Sequence, residues 1–238
     1  MKCIYCQKLL NKSNTKSIEH IIPESLGNKS YTLSSNLICD NCNNYFAREI
    51  EKPFLELKPI LVLRGLERIP NKKEKYKHVP ILFEGYNTTL NYDKHSNSYF
   101  IGLPAEVILK LTKKPSKKFI SEKPNIETLL NNLIVSRFLC KIFSEYLIEL
   151  LHKKYKRKIY LVKALLKDDN LYSVFKYVRY GNKNNFYRYE VNEKQNYNLF
   201  LYGDGTLAKI DFIKENDLHI FMFSWSCLKF KLYINSKS

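Results

Sequence analysis

The chain has 238 residues, enough for one large domain or for a small domain joined to a medium one. Hydrophobic residues make up 45% of the chain, which predicts a sizeable core and excludes global disorder. Lysine and arginine number 40 against 23 aspartate and glutamate residues, which gives a formal net charge of +17. A surface this positive favours a polyanionic partner such as nucleic acid, although lysine-rich chains are also basic simply for solubility.

Hydropathy gives no indication of a membrane or of export. The chain opens Met-Lys-Cys-Ile-Tyr-Cys, without the apolar run of a secretory leader. No segment approaches the roughly 20 uninterrupted apolar residues of a spanning helix. We therefore expect a soluble cytoplasmic protein with no membrane partner. In that reducing compartment the six cysteines are expected to be metal ligands or buried thiols sooner than disulfides.

A change in composition after Pro53 divides the chain. Four of the six cysteines and a cluster of small polar residues precede it, whereas aliphatic and aromatic runs separated by lysines follow it. The sequence therefore predicts a small module in residues 1–54 and a larger domain in residues 55–238.

Two CxxC pairs lie in the first module, Cys3 with Cys6 and Cys39 with Cys42. A spacing of two residues lets both sulfurs of a pair face one tetrahedral ion at about 2.3 Å. The two pairs complete a four-cysteine shell with no open position, which predicts a structural zinc ion. The alternative is a redox CxxC, which needs only one pair and usually a βαβ context.

The segment between the two pairs is more than a plain loop. It carries Ser17-Ile-Glu-His-Ile-Ile-Pro23, then Leu26-Gly27, and then Asn36-Leu37 just before the second pair. His20 follows an acidic residue and precedes an apolar pair, which is consistent with the end of a short strand. On a strand Glu19 and His20 point to opposite faces, so both reach one phosphodiester only around a bend, which the following proline supplies.

A long helix is predicted in residues 125–155, where apolar residues recur mostly at spacings of three and four. Pro124 and Asn125 supply its start, and Glu127 in the first turn favours the helix dipole. So wide an apolar stripe belongs in a core, and Cys140 on this helix is expected to be a buried structural thiol.

Segments rich in β-branched and aromatic residues flank this helix and predict strands. They are residues 79–83, 86–92, 98–101, 172–180, 186–191, 197–202, 207–212, 218–223 and 228–234. Gly203-Asp204-Gly205 is expected to form a hairpin turn. The larger domain is therefore predicted to be a mixed α+β domain with a mainly antiparallel sheet and one long helix.

Aromatic and cationic residues alternate in part of this domain. They are Tyr172, Tyr177, Arg179, Tyr180, Phe186, Tyr187 and Arg188. Such a surface suits contacts to phosphates and stacking on bases, which would give the domain a role in DNA binding or target selection. An ordinary sheet with core aromatics and solvated cations explains the same pattern, so both interpretations stay open.

The run from Cys3 to about Phe54 resembles the HNH endonucleases, in particular members with Glu-His-Ile-Ile-Pro, a following Leu-Gly and a CxxCN knuckle. The resemblance implies a zinc-braced ββα-metal fold, in which a β-hairpin and a helix surround one catalytic divalent cation. Carried over by position, His20 corresponds to the general base and Glu19 to an acidic metal ligand. Asn43 corresponds to the metal ligand on the helix and Asn36 to the middle asparagine that orients the base.

The resemblance therefore implies a metal-dependent endonuclease that hydrolyses DNA phosphodiester bonds, with a structural Zn²⁺ and a catalytic Mg²⁺ or Mn²⁺. Restriction, phage defence and mobile elements are the expected settings. We expect double-stranded DNA as the partner, with RNA left open because no motif recognises or excludes a 2′-hydroxyl. Cutting both strands with one site calls for a homodimer or two successive nicks. Arg48, on the helix after the second knuckle, is the expected phosphate contact.

The chain departs from the family pattern in three ways. Glu19 stands where many members have aspartate, Asn43 stands where others have histidine, and the gap from Asn36 to the second cysteine pair is short. Because of that gap, Ser34 or Asn44 could share the roles.

Each site residue also has a purely structural interpretation. His20 could be a hydrogen-bonded structural histidine and Glu19 a solvated carboxylate, whereas Asn43 could cap a helix and Asn36 could make a turn. The alternative function is that of a non-catalytic zinc-knuckle protein that binds nucleic acid.

Overall fold

The computed structural model describes residues 2–34, 36–71, 73–83, 85–113, 125–155, 169–181, 187–194, 207–215 and 218–235. In the N-terminal part, isolated antiparallel bridges pair Lys2 with Leu9 and His20 with Thr32. A 3₁₀ turn (Glu24–Leu26) lies in the loop that the second bridge closes. Helix α1 (Asp40–Phe46) then continues through a π-helical turn (Ala47–Glu51) into α2 (Lys52–Leu55), and α3 (Lys58–Leu66) follows.

A three-stranded antiparallel sheet comes next, formed by β1 (Val79–Phe83), β2 (Tyr86–Asp93) and β3 (Ser98–Ile101) in that order. These are the strands predicted at 79–83, 86–92 and 98–101. Gly85, with a φ of 82°, supports the turn between the first two strands because a left-handed backbone favours glycine. A small apolar cluster packs α3 on this sheet, and α4 (Ala105–Lys113) follows.

The predicted long helix is present as a 3₁₀ turn (Ile126–Leu129) followed by α5 (Leu133–Tyr155). The Asn125 side chain accepts a 2.9 Å hydrogen bond from Glu127 N and so caps the 3₁₀ turn. Asn131 has a positive φ of 49°, which separates that turn from the long helix. Apolar residues cover most of α5, as expected of a helix in a core.

The strand predicted at 172–180 is wrong, because these residues belong to helix α6 (Asp169–Tyr180). Leu171, Val174, Phe175 and Val178 recur at helical spacing and pack into the core. The abundance of tyrosine favoured a strand, but the burial of this one face against α5 decides the helix. The arginines and tyrosines of this segment therefore lie on a helix.

The second sheet is antiparallel and has the order β4-β7-β6-β5. Its strands are β4 (Tyr189–Glu193), β5 (Ala208–Glu215), β6 (Leu218–Trp225) and β7 (Leu228–Asn235). The strands predicted at 207–212, 218–223 and 228–234 are confirmed, and the one predicted at 186–191 overlaps β4. The strand predicted at 197–202 and the turn at Gly203-Asp204-Gly205 lie outside the described residues.

One hydrophobic core joins the N-terminal part to α5, α6 and the second sheet. Phe54 stacks on Phe138 of α5 with ring centroids 3.7 Å apart, and Tyr5 OH lies 2.7 Å from Ser144 Oγ on the same helix. The α+β fold class is confirmed: the second antiparallel sheet shares a core with the long helix, and the first sheet packs on α3. Among the described residues, no helix is both long enough and apolar enough to cross a membrane.

Candidate active site and metal centre

The two cysteine pairs are presented by a turn and by a helix terminus. Cys3 N donates a 2.8 Å hydrogen bond to Lys8 O, and Gln7 closes the turn with a left-handed φ of 61°. Cys39 is the N-cap of α1, and Cys42 lies in the first turn of that helix. Local backbone geometry therefore sets the spacing within each pair, and the hydrophobic core that includes Cys3, Cys39 and Cys42 brings the two pairs together.

The four cysteine sulfurs lie within 4.8 Å of one another. Cys3 Sγ is 3.8 Å from Cys42 Sγ, and Cys6 Sγ is 3.6 Å from Cys39 Sγ. A tetrahedral shell with Zn–S bonds of about 2.3 Å has edges of about 3.8 Å. The cluster predicted from the sequence is therefore confirmed, and its spacing and sulfur donors fit zinc.

Charge around the sulfurs also suits a metal centre. The hydrogen bond between Cys3 and Cys42 lowers the pKa of Cys3 to about 5 and raises the pKa of Cys42 well above its ordinary value, so Cys3 is the thiol that ionises first. Arg179 of α6 contacts the same cluster. Burial alone would lower the pKa of Arg179, but the negative charge of Cys42 and a hydrogen bond to Cys42 raise it. The guanidinium also lies 4.0 Å from the centre of the Tyr45 ring. An arginine here offsets the net charge of about −2 that four thiolates leave on zinc.

The sequence predicted His20 at the end of a short strand, and the structure has an isolated antiparallel bridge there and no strand among the described residues around it. His20 pairs with Thr32. On one side Ile21 N donates a 2.9 Å hydrogen bond to Tyr31 O, and on the other Leu33 N donates one of 2.9 Å to Glu19 O. The side chain of Asn28 is buried and bonds both arms of the hairpin loop. Its Nδ2 donates to Ile22 O, and its Oδ1 accepts a 2.9 Å hydrogen bond from Tyr31 N. The loop that contains Pro23 is therefore held in one conformation beside His20.

Glu19 and His20 point to opposite faces of this hairpin. Glu19 faces the core and is 6% exposed, whereas the His20 side chain is 24% exposed. His20 Nε2 lies 3.4 Å from Glu24 Oε1. Among the described residues, Glu19 Oε2 and His20 Nδ1 are buried without a hydrogen-bond partner. A carboxylate oxygen and an imidazole nitrogen of two adjacent residues are thus left without hydrogen bonds among the described residues.

The two predicted asparagines lie in different surroundings. Asn43 Nδ2 donates hydrogen bonds to Ser17 Oγ at 3.1 Å and to Ile18 O at 3.3 Å. These bonds hold α1 against the segment that leads into Glu19. Asn36 is exposed and has a left-handed φ of 61°, so it forms the turn before the second cysteine pair. The structure thus places Asn43 beside the hairpin and Asn36 at its exit.

Three further residues that the sequence suggested for the site, Ser34, Asn44 and Arg48, lie in other surroundings. Ser34 is bonded by Glu149 of α5, with its N–H 2.8 Å from Glu149 Oε2. Arg48 is exposed on the π-helical turn, and its Nε lies 2.6 Å from Glu49 Oε1. Asn44 is exposed on α1. Of these three, Arg48 retains a cationic group at the surface of the N-terminal part.

Asp40 is a structural residue of the site that the sequence interpretation missed. Its carboxylate accepts hydrogen bonds from Ser17 N at 2.8 Å, from Ser17 Oγ and from Lys16 N. The bonds from Ser17 lower the pKa of Asp40. An aspartate at the first position of a helix was the available signal, and its partners are the backbone of the segment before Glu19.

Lys141 of α5 is a second residue that the sequence interpretation missed. Its ammonium is fully buried and lies 2.6 Å from Glu19 Oε1, 2.8 Å from Glu51 Oε1 and 3.0 Å from Glu145 Oε2. It also donates a 2.7 Å hydrogen bond to the backbone carbonyl of His20. One lysine from the middle of the chain therefore contacts both residues of the Glu-His pair.

The charges in this cluster are strongly coupled. Burial raises the pKa of Glu19 and the charge of Lys141 opposes that rise. Burial, assisted by the charge of Glu19, also raises the pKa of Glu145 well above its ordinary value. Burial alone would lower the pKa of Lys141, but the three carboxylates raise it well above its ordinary value. Lys141 is therefore held as an ammonium ion.

Residues 3–57 match the model of a protein family described as HNH endonuclease. The resemblance found in the sequence is therefore confirmed for this segment, which contains the four cysteines, Glu19, His20, Asn36, Asn43 and Arg48. It does not contain α5 and Lys141. No curated protein and no solved structure matched the chain. At the level of the family, the match indicates a nuclease domain that acts on nucleic acid.

Proposed function

We propose that the protein is a metal-dependent endonuclease that hydrolyses phosphodiester bonds of DNA, with His20 as the general base. The observation that carries this proposal is the position of His20, which lies partly exposed on a hairpin within the segment that matches the HNH endonucleases. The four-cysteine cluster joins the N-terminal turn to α1, and Asn43 of α1 bonds the segment that leads into the hairpin. Restriction, phage defence and the movement of DNA elements are processes that use such an activity.

The imidazole of His20 has the surroundings of a base. Its Nδ1 is buried, so Nε2 is the nitrogen available to a water molecule. The Glu24 carboxylate beside Nε2 would stabilise the imidazolium that forms when His20 takes the proton. Asn36 is assigned to orienting the base, which its place at the hairpin exit supports.

Glu19 and Asn43 are the proposed ligands of the catalytic cation. Within the part of the chain that the structure describes, Glu19 Oε2 is buried without a hydrogen-bond partner, which suits an oxygen that a cation would complete. Asn43 uses its Nδ2 for Ser17 and Ile18, which leaves Oδ1 as an oxygen donor. A bound Mg²⁺ or Mn²⁺ would supply stabilisation of the negative charge on the phosphate and on the leaving oxygen.

Contacts to the DNA backbone are proposed for Arg48. It is exposed on the turn that continues α1, and the chain carries a formal charge of +17. Exposed cations of this kind bind phosphates without reading sequence and make binding sensitive to salt. With one such site per chain, cleavage of both strands takes either a homodimer or two successive nicks.

The second candidate function is a non-catalytic zinc protein that binds nucleic acid. The ion pair between Glu19 and Lys141 favours it, because this contact gives Glu19 a structural role that needs no chemistry. The zinc cluster and the basic surface would serve binding alone. The first candidate cleaves nucleic acid, whereas the second only binds it.

Cleavage assays separate these candidates. Zinc-loaded protein is incubated with supercoiled plasmid and with RNA of similar length, with Mg²⁺, with Mn²⁺ and with neither ion. Cation-dependent nicking of the plasmid supports the proposal, and cleavage of RNA alone would replace DNA by RNA as the substrate. Tight, salt-sensitive binding without cleavage of either polymer would favour the binding protein.

A further inference from the structure

We propose that Lys141 is a positioning residue of the candidate active site, because its ammonium joins the backbone of His20 to the carboxylate of Glu19. This inference rests on the proposed nuclease function and extends it beyond the segment that matches the HNH endonucleases. Lys141 lies on α5, outside residues 3–57. The proposal makes α5 a part of the active site.

The geometry of the ammonium group carries the proposal. Two of its four acceptors belong to adjacent residues of the hairpin, Glu19 Oε1 at 2.6 Å and the His20 carbonyl at 2.7 Å. The other two are Glu51 on the π-helical turn and Glu145 one turn along α5. An ammonium has three protons and cannot donate to all four at once, and among the described residues Glu145 Oε2 is buried without a hydrogen bond. The three that remain lie on the hairpin and on the π-helical turn. Lys141 thus fixes the hairpin to two helical elements at the point where the base lies.

Stability alone is a poor explanation of this cluster. Burying an ammonium and three carboxylates removes strong hydration from each, and replacing a buried ion cluster by apolar residues of similar volume is often neutral or stabilising. Three carboxyl groups also crowd around one ammonium, and burial with the charge of Glu19 raises the pKa of Glu145 well above its ordinary value, so the cluster disfavours its own ionised form. The cluster is better explained as a device that holds Glu19 and His20 in one geometry.

Loss of the ammonium should therefore damage catalysis more than DNA binding. Without it, the His20 carbonyl and the Glu19 carboxylate lose the donor that they share. A displacement of about 1 Å in a reacting group lowers a rate by about 10²-fold. The exposed cations that bind phosphate are elsewhere, so we expect kcat to fall about 100-fold with KM for DNA nearly unchanged.

Two variants of the full-length, zinc-loaded protein test the proposal. Lys141→Met removes the ammonium alone and leaves three buried carboxylates. The triple variant Lys141→Met/Glu51→Gln/Glu145→Gln leaves one, so it avoids the excess charge that could unfold the single variant. Lys153→Met is the matched control, because Lys153 lies on the same helix with a side chain that is 72% exposed. Zinc content and thermal melting identify the variant that remains folded.

The measurements are plasmid-nicking kinetics and Mn²⁺ binding followed by electron paramagnetic resonance without DNA. We expect the folded Lys141 variant to show the drop in kcat and a changed Mn²⁺ affinity, because Glu19 loses both its fixed position and the positive charge beside it. Lys153→Met should match the wild type in both. Wild-type kcat and wild-type Mn²⁺ affinity in a folded Lys141 variant would overturn the proposal.

The Mn²⁺ measurement separates this proposal from the nuclease function. If the wild type binds Mn²⁺ but nicks no plasmid, the proposed function fails, and Mn²⁺ affinity in the variants still decides whether Lys141 positions Glu19. If the wild type neither nicks DNA nor binds Mn²⁺, both proposals fall.

Discussion

Trp225 Nε1, on β6, donates a 2.8 Å hydrogen bond to the backbone carbonyl of Leu26, in the 3₁₀ turn that follows His20. Both residues are completely buried. The second sheet therefore supports the backbone of the hairpin loop directly, across a large separation in sequence. Because Trp225 is the single tryptophan of the chain, its fluorescence reports on this contact.

Replacing Trp225 by phenylalanine tests the energetic weight of that contact. Trp225→Phe removes the N–H donor and part of the buried ring, so the Leu26 carbonyl loses its partner and a small cavity forms. We expect the free energy of unfolding to fall by about 2–4 kcal/mol. Urea denaturation followed by circular dichroism measures it. Phe100→Leu, at a ring that is 54% exposed, should change stability by no more than about 0.5 kcal/mol, and an equal effect of both variants would refute the contact.

The four-cysteine cluster should stabilise the shared core as well as the N-terminal turn. Cys39→Ser removes one sulfur of the shell, and we expect loss of zinc with a fall in stability of about 3 kcal/mol or more. Because one core joins the two parts, Trp225 fluorescence should change with the zinc content. Cys227→Ala is the control, since Cys227 is buried away from the cluster and should keep the zinc. Stoichiometric zinc in purified Cys39→Ser would contradict this ligand set.

Tyr189 should make stability depend on alkaline pH. Burial raises the pKa of Tyr189 to about 12 from an ordinary value of 10.0, with a hydrogen bond from Asn132 opposing the rise. A raised pKa means that the folded state holds the proton more tightly. The stabilising contribution is therefore complete below pH 10 and is lost as pH rises through about 12.

Tyr189→Phe should accordingly be less stable than the wild type at pH 8, and the difference should narrow above pH 10. The hydroxyl bonds Leu129 O and Asn132 N, and the variant loses both bonds. Denaturation at a series of pH values gives the difference in unfolding free energy. Tyr180→Phe, at a ring that is 66% exposed, should show no such trend. A difference that stays constant from pH 8 to pH 11.5 would be inconsistent with this role of Tyr189.

Local spacing was sufficient to predict part of the fold and the metal cluster. The CxxC pairs carry their geometry in two-residue gaps, and strands such as 79–83 and 98–101 are bounded by turn residues. The extended backbone at His20, which forms an isolated bridge with Thr32, followed from its apolar neighbours and Pro23. Within each cysteine pair and each strand, the decisive interactions are between residues a few positions apart, so a pattern in the sequence reveals them.

Long-range contacts account for what the sequence did not predict. Lys141 stands among apolar residues of a long helix, where a lysine is normally solvated at the surface, and two of its carboxylate partners come from the N-terminal part. Helix α6 was predicted as a strand because tyrosines favour strands, whereas packing on α5 selects the helix. Arg179 reaches the cysteine cluster only because α6 packs there.

The central claim is that His20 performs hydrolysis, and a comparison of His20→Ala with the wild type on supercoiled plasmid tests it most directly. Both proteins carry zinc, and His95→Ala, at an exposed turn of the first sheet, is the matched histidine control. We predict nicking by the wild type and by His95→Ala in Mg²⁺ or Mn²⁺, with a loss of about 10²- to 10⁴-fold in His20→Ala at unchanged zinc content and DNA binding. Full activity of purified, zinc-loaded His20→Ala would contradict the assignment.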